Sequence, residues 1–225
     1  MNNFLKNHYR LPKTKKKRFG EGGIRIKTNK KYVKSPLFSI ITVVLNNDKF
    51  LEKTIKSVLS QSYLNFEYII IDGGSKDKTL DIIRKYKKKI DYWVSEKDRG
   101  LYDAFNKGIS VARGNFIGII NSDDIYTKNS LRIISKYIEK NKDIDFIFGS
   151  VKKHWGILHG YKPQKIFYSW GFYSSHSTGF FLKKTSAQKV GLYNLKYKYH
   201  ADYDYFYRLI VTHKMKGIAT KKNEI

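Results

Sequence analysis

Short continuous apolar runs alternate along this chain with longer stretches in which apolar residues recur every three or four positions. The run "LFSIITVVL" (37–45) is β-branched and does not alternate with polar residues, the pattern of a strand buried on both faces. "FLEKTIKSVLSQ" (50–61) follows, with Leu51, Ile55, Val58 and Leu59 at helical spacing. "FEYIIID" (66–72) reads as a second buried strand and "TLDIIRKYKKKI" (79–90) as a second amphipathic helix. "IDYWVS" (90–95), "LYDAFNKGISVA" (101–112), "FIGII" (116–120), "SLRIISKYIEKN" (130–141) and "FIFGS" (146–150) continue the alternation of strand and helix. Such alternation predicts βαβ units and hence a layered α/β domain, a mostly parallel, Rossmann-like sheet flanked by helices. Residues 151–225 are aromatic-rich and less regular; they are expected to add strands to the same domain and to end in a helix near Tyr203 to His213.

Residues 1–36 lack any apolar period and carry the cluster Lys13, Lys15, Lys16, Lys17 and Arg18, so they read as a basic arm, flexible or loosely docked. A single domain is expected from 37 to 225. Of the 225 residues, 41% are hydrophobic, enough for a real core. Cysteine is absent, which excludes disulfides, thiolate zinc sites and cysteine nucleophiles and fits a reducing compartment. With 45 basic and 19 acidic residues the net charge is +26, which favours anionic partners: nucleic acid, an anionic membrane surface or phosphorylated substrates. The longest apolar run, Leu37 to Leu45, is far short of the ~20 residues of a spanning helix. The N-terminus lacks an apolar signal-peptide core, so the expected location is cytoplasmic, peripheral on the inner face of the membrane.

The polar residues that end the strands carry the candidate chemistry. In an open α/β sheet, ligands bind beyond the carboxyl ends of the strands. Those ends read Asn46–Asn47, Asp72–Gly73–Gly74–Ser75 and Asn121–Ser122–Asp123–Asp124. Asp72 followed by glycines suits a nucleoside, because a carboxylate can bond a base or ribose where the backbone approaches closely; a plain turn explains "DGGSKD" as well. Adjacent Asp123 and Asp124 repel unless a cation or hydrogen-bond donors compensate them. No GxxxxGK[ST] or GxGxxG occurs, which argues against ATPase and dinucleotide readings.

In order and spacing, "SIITVVLNN", "YIIIDGGSKDKT", "SEKDRGLYDAFNKGISVARG" and "NSDD" resemble the family 2 glycosyltransferases, closest to bacterial members that build lipopolysaccharide and capsule. The resemblance covers roughly 37–213. It implies the GT-A fold, with a nucleotide-sugar half (37–124) and a smaller acceptor-side half (125–225). It also implies inverting transfer of a sugar from a nucleotide-sugar, UDP-sugars favoured, to a glycan or lipid-linked acceptor. The family's DxD motif has Asn121 in its first position here and Asp123 in its last. A divalent cation, Mg²⁺ or Mn²⁺, is expected to bridge the diphosphate to Asp123, with Asp124 sharing the role or simply capping the next helix.

The nucleotide-sugar side is then expected at Val44, Asn46, Asp72, Gly74, Ser75, Asp98, Arg99, Gly100, Asn106, Ser122 and Asp123. Arg99 lies near the diphosphate or is solvated, and Asp103 with Lys107 reads equally as a surface pair. "YHADYDYFYRL" (199–209) resembles the segment that holds the family's general base, which implies Asp202, with Ala201 in place of the usual Glu and Asp204 as a rival on the acceptor side. His176 in "SSHSTGFF" either positions acceptor or phosphate or is a buried histidine. Trp155, Trp170 and the tyrosines of 159–207 stack on sugars or fill core. Two other classes compete: a catalytically inactive member acting as scaffold, suggested by Asn121 and Ala201, and a basic nucleic-acid-binding protein. The second is disfavoured, because no nucleic-acid motif is visible and the acidic strand ends would repel phosphate without a metal. Nucleic acid is therefore not an expected partner.

Overall fold

The computed structural model describes residues 10–12, 17–28, 37–167 and 177–222. The continuous apolar runs become the centre of one sheet: β2 (Phe38–Val44), β3 (Phe66–Asp72), β4 (Tyr92–Glu96) and β5 (Phe116–Asn121). All four run parallel, with Val44 beside Asp72, Asp72 beside Ser95, and Val43 beside Asn121. Their carboxyl ends therefore share one edge. β1 (Arg18–Gly22) closes the β4 side antiparallel. On the other side β9 (Phe180–Lys183) runs antiparallel between β5 and β6 (Phe146–Phe148), and β10 (Gly217–Ala219) lies parallel to β6. Strands β7 (Val151–Lys153) and β8 (Gly156–Leu158) form a separate hairpin that exposes Trp155. The sheet is mixed α/β and mostly parallel, as the strand and helix alternation predicts.

The run of consecutive apolar residues is needed because both faces are covered. Phe38, Ile40, Tyr68 and Ile70 face α2 (Asp48–Leu59), α3 (Thr79–Tyr86) and α5 (Ser130–Lys140). Ile41, Val43, Ile69 and Ile71 face α4 (Leu101–Val111) and the C-terminal helix α7 (Ala201–Tyr207). These isoleucines are fully buried, each stabilising the fold by about 1.5–3 kcal/mol. Gly108 lets α4 lie close on the sheet: a Cβ there would sit 2.4 Å from Ile41 Cγ2. A further short helix, α6 (Lys184–Val190), follows β9.

The arm expectation is corrected in part. Lys13, Lys15 and Lys16 lie outside the described residues, but Arg18–Gly22 is a sheet strand and α1 (Ile24–Thr28) sets Arg25 into the interior. Arg25 and Glu67 are both fully buried and paired; Arg25 Nη1 also donates to Val111 O at 2.9 Å, and Glu67 Oε1 accepts from Ser39 Oγ and from the Arg113 amide. A buried carboxylate and guanidinium persist only when mutually paired. This segment is integral to the fold, so removing residues 1–34 would remove far more than a surface charge. The last helix begins at Ala201, ahead of the expected start, and passes into a π-helical turn over Arg208–Thr212; β10 beyond it was not expected.

Candidate active site

Three strand ends are sewn together by polar side chains. Asn46 adopts a left-handed backbone (φ 50°), its amide donates to Ser75 Oγ at 2.8 Å, and its Oδ1 accepts from the Lys76 amide at 2.8 Å. Asn47 Nδ2 donates to Ser122 Oγ at 2.8 Å. The tips of β2, β3 and β5 are thus fixed to one another before any ligand arrives.

Above them opens a cleft of about 590 Å³ lined by the ends of β2 and β5 and by the start of α4. Of the sequence-predicted residues, Val44, Asn46, Asp98, Gly100, Ser122 and Asp123 line it. Asn47, Leu101 and Ala104 line it too, without having been singled out. Gly100 (φ 113°) is the N-cap of α4, so the helix N-terminus faces the cleft. Asp98 leans against Gly73, where a Cβ would lie 2.5 Å from Asp98 Oδ2, and its Oδ1 accepts from the Gly100 amide at 3.0 Å. Burial pushes the Asp98 carboxyl above the usual carboxylate range, opposed by the Gly100 N–H and by Lys107.

Five expected donor contacts face elsewhere. Asp72 is fully buried, its carboxylate bonded by Ser75 and by Ser95 Oγ, so it braces the turn. Ser75 bridges Asn46 and Asp72, and Gly74 (φ 89°) supplies the left-handed turn between them. Arg99 is exposed and folds back to Asp103 at 3.2 Å, while Lys107 pairs with Glu96, so the Asp103–Lys107 pair does not form. Asn106 is buried and grips the Tyr193 backbone at both ends: Nδ2 donates to Tyr193 O at 2.9 Å and Oδ1 accepts from Tyr193 N at 2.8 Å. Both ends of its amide are thereby engaged in holding the Tyr193 backbone.

The two adjacent carboxylates are treated differently. Asp124 Oδ2 accepts from Asn121 Nδ2 at 3.1 Å and from the Thr178 hydroxyl. Asn121 Nδ2 also reaches Ser177 Oγ at 3.2 Å. Asp123 is exposed at the cleft and makes no hydrogen bond or ion pair among the described residues. A single free carboxylate beside a cleft suits a hard divalent cation, which takes one or two carboxylates and completes its shell with phosphate oxygens and water.

Beyond Asn121 and Leu101, which border both spaces, lies a second pocket of about 270 Å³. Tyr102, Phe105, Ile119, Phe180, Tyr193 and Phe206 wall it, and Asp202, at the start of α7, is the one carboxylate among the described residues that line it. Tyr102 Oη donates to Asp202 Oδ1 at 3.1 Å. Burial, and then the Asp202 charge, push the Tyr102 hydroxyl up to about 12. Asp204, the rival, is bound to Arg208 at 2.9 Å, and Arg208 is anchored on Val190 O and Leu192 O. His176 and Trp170 lie outside the described residues.

The profile described as "Glycosyl transferase family 2" matches residues 39–206. An uncharacterized glycosyltransferase of Methanocaldococcus jannaschii is 31% identical over 188 residues, 78% of this chain and 65% of that protein. A Mycobacterium bovis "PGL/p-HBAD biosynthesis glycosyltransferase" is 28% identical over 217 residues, 84% of this chain and 78% of that one. Among solved structures, S. aureus TarS with UDP-GlcNAc superposes with a TM-score of 0.69 at 17% identity, over 83% of this chain and 56% of that one. The mannosyltransferase PcManGT of Pyrobaculum calidifontis, solved with GDP-Man and Mn²⁺, gives 0.65 at 16% identity, over 84% and 56%. This chain thus spans little more than half of either solved chain. At such identities these structures establish the shared GT-A architecture.

Proposed function

The chain belongs to glycosyl transferase family 2, and from that premise we propose that it moves a sugar from a nucleotide-sugar to an acceptor hydroxyl with inversion at the anomeric carbon. The observation that carries this reading is the junction of the two spaces. A polar cleft with a free carboxylate and a helix N-terminus opens, past Asn121 and Leu101, onto a pocket in which Asp202 is the one carboxylate among the described lining residues.

The cleft takes the donor. Backbone N–H groups at the start of α4 favour the anionic diphosphate, as helix N-termini do. Asp123 would hold a divalent cation, Mg²⁺ or Mn²⁺, which when bound neutralises charge on the leaving diphosphate. Asp124, engaged by Asn121 and Thr178, fixes the loop that presents Asp123. Asp202 accepts the acceptor hydroxyl's proton as that oxygen attacks the anomeric carbon and the bond to the diphosphate breaks. One base suffices for a single in-line displacement, and Asp204, neutralised by Arg208, is not needed for it.

The named mycobacterial relative and the notable basic excess support a glycan or lipid-linked acceptor at an anionic membrane surface, in surface-polysaccharide synthesis. No helix among the described residues is long and apolar enough to cross a membrane. The basic excess is what favours peripheral docking at the cytoplasmic face. The test is thermal denaturation with UDP- and GDP-sugars, with and without Mn²⁺. A ligand that binds only the native state raises Tm by mass action, and Asp123→Ala should abolish the Mn²⁺-dependent part. If no nucleotide-sugar shifts the wild type, or if Asp123→Ala responds to Mn²⁺ and nucleotide like wild type, the assignment fails.

A further inference from the structure

We propose that Tyr102 is the positioning residue for Asp202, holding that carboxylate in one orientation. This rests on the reading of Asp202 as the base. The contact joins helices a hundred positions apart in the chain, with Tyr102 Oη to Asp202 Oδ1 at 3.1 Å. The same oxygen also accepts from the Tyr203 amide at 3.0 Å.

Tyr102 is itself held from several sides. Its ring stacks on Tyr193 at 5.6 Å and 21°, and meets the edge of Phe105 at 5.9 Å and 84°. Tyr193 stacks in turn on Tyr205 of α7 at 4.2 Å and 14°. Asn106, one turn beyond Tyr102 on α4, clamps the Tyr193 backbone. These contacts form a closed circuit: α4 to Tyr193, Tyr193 to α7, and α7 back to α4 through Asp202 and Tyr102. The hydroxyl and the carboxylate therefore cannot drift apart unless an aromatic stack opens. Arg208 lies over the Tyr205 ring at 5.0 Å and neutralises Asp204, which leaves Asp202 as the carboxylate presented to the pocket.

The chemistry follows from the direction a base must face. The hydrogen bond from the Tyr102 hydroxyl sets the rotation of the Asp202 carboxylate towards the pocket that Phe105, Tyr193 and Phe206 wall, so the base meets the acceptor hydroxyl in one geometry. Among the described residues, the other titratable groups around Asp202 include Tyr193 and His200 on the preceding loop, and Tyr203, Asp204, Tyr205 and Arg208 on its own helix. Because α4 also turns its N-terminus to the donor cleft, one rigid helix sets both the diphosphate end and the base end of the reaction.

Tyr102→Phe tests this, since it removes the hydroxyl and keeps the ring in its stack. The protein is labelled with ¹³C-aspartate, and the Asp202 carboxylate signal, assigned by its loss in Asp202→Asn, is compared in wild type and Y102F at one pH; it should move when the hydroxyl is removed. In turnover of whichever UDP- or GDP-sugar the wild type consumes, kcat should fall about tenfold or more, and donor KM should stay unchanged. An unmoved carboxylate signal overturns the proposal, as does a rise in donor KM with kcat unchanged. If Asp202→Asn itself retains transfer, the base assignment fails instead, and the carboxylate signal still reports on the contact.

Discussion

Replacing Asn121 by Asp sets a second carboxylate against Asp124. In the native protein Asn121 Nδ2 donates to Asp124 Oδ2 at 3.1 Å; the variant exchanges that donor for an anion. Two unit charges about 3 Å apart repel by about 5 kcal/mol at an effective dielectric of 20, typical near a protein surface. The pair can escape by binding one proton. At pH 7 that costs a carboxyl of ordinary pKa about 4 kcal/mol, which caps the electrostatic penalty. Asn121→Ala loses the same hydrogen bond without adding charge, at about 1–2 kcal/mol, so the difference between the two variants isolates the repulsion. For a chain of this size, where 1 kcal/mol shifts Tm by about 2–4 °C, Asn121→Asp should melt several degrees below Asn121→Ala at pH 7. The sign with pH is fixed. The folded variant holds a proton more tightly than the unfolded chain, so its stability recovers as pH falls towards 5 and the gap closes. The assay is scanning calorimetry of the three proteins, without divalent metal, across that range. An Asn121→Asp protein as stable as wild type at pH 7, or a gap to Asn121→Ala that does not change with pH, would refute the reasoning.

Other expectations are as direct. Asn106→Ala strands a buried N–H and C=O of Tyr193 and should cost about 2–4 kcal/mol in urea denaturation, with nucleotide affinity in the still-folded protein close to wild type. Glu67→Ala removes the carboxylate that faces the buried Arg25 guanidinium and should cost about 3–5 kcal/mol by the same assay, although Glu67 is remote from the cleft. The protein should co-sediment with phosphatidylglycerol vesicles at low salt and be released near 1 M, where the Debye length falls to about 3 Å. The triple variant K13E/K15E/K16E should weaken that binding without altering Tm; equal binding to neutral vesicles would remove the membrane from the account.

The central strands were legible because a strand covered on both faces must be apolar at every position, and Ile40, Ile41, Ile69 and Ile70 advertise that directly. β1 was not, for a physical reason. Its sequence is Arg-Phe-Gly-Glu-Gly, and the glycines are there because the Trp93 ring lies across them: a Cβ at Gly20 or Gly22 would fall within 3 Å of it. A strand that makes room for a neighbour's side chain carries no hydrophobic pattern of its own. The site divides in the same way. Strand-end residues such as Asn46, Ser122 and Asp123 could be placed at the cleft from topology alone. Asn106 and Asp72 carry the right chemistry at plausible positions, and only their partners show that they are structural. Tyr102 and Asn106 could be seen to share a helix face, but their connection to Tyr193 and Asp202 has no local signature.

The match to the family model begins at residue 39, whereas the sheet begins at Arg18. The matched stretch and the folded sheet therefore start about twenty residues apart. A version of the protein started where the likeness starts would leave β4 as a bare edge, with its N–H and C=O groups unanswered and the Trp93 ring without its strand of glycines. An uncovered edge of that kind is a template for pairing with another chain. Trimming to the recognisable region would therefore open this edge to self-association, besides taking Arg25 away from buried Glu67. The unremarkable N-terminal strand thus acts as the protein's guard against aggregation.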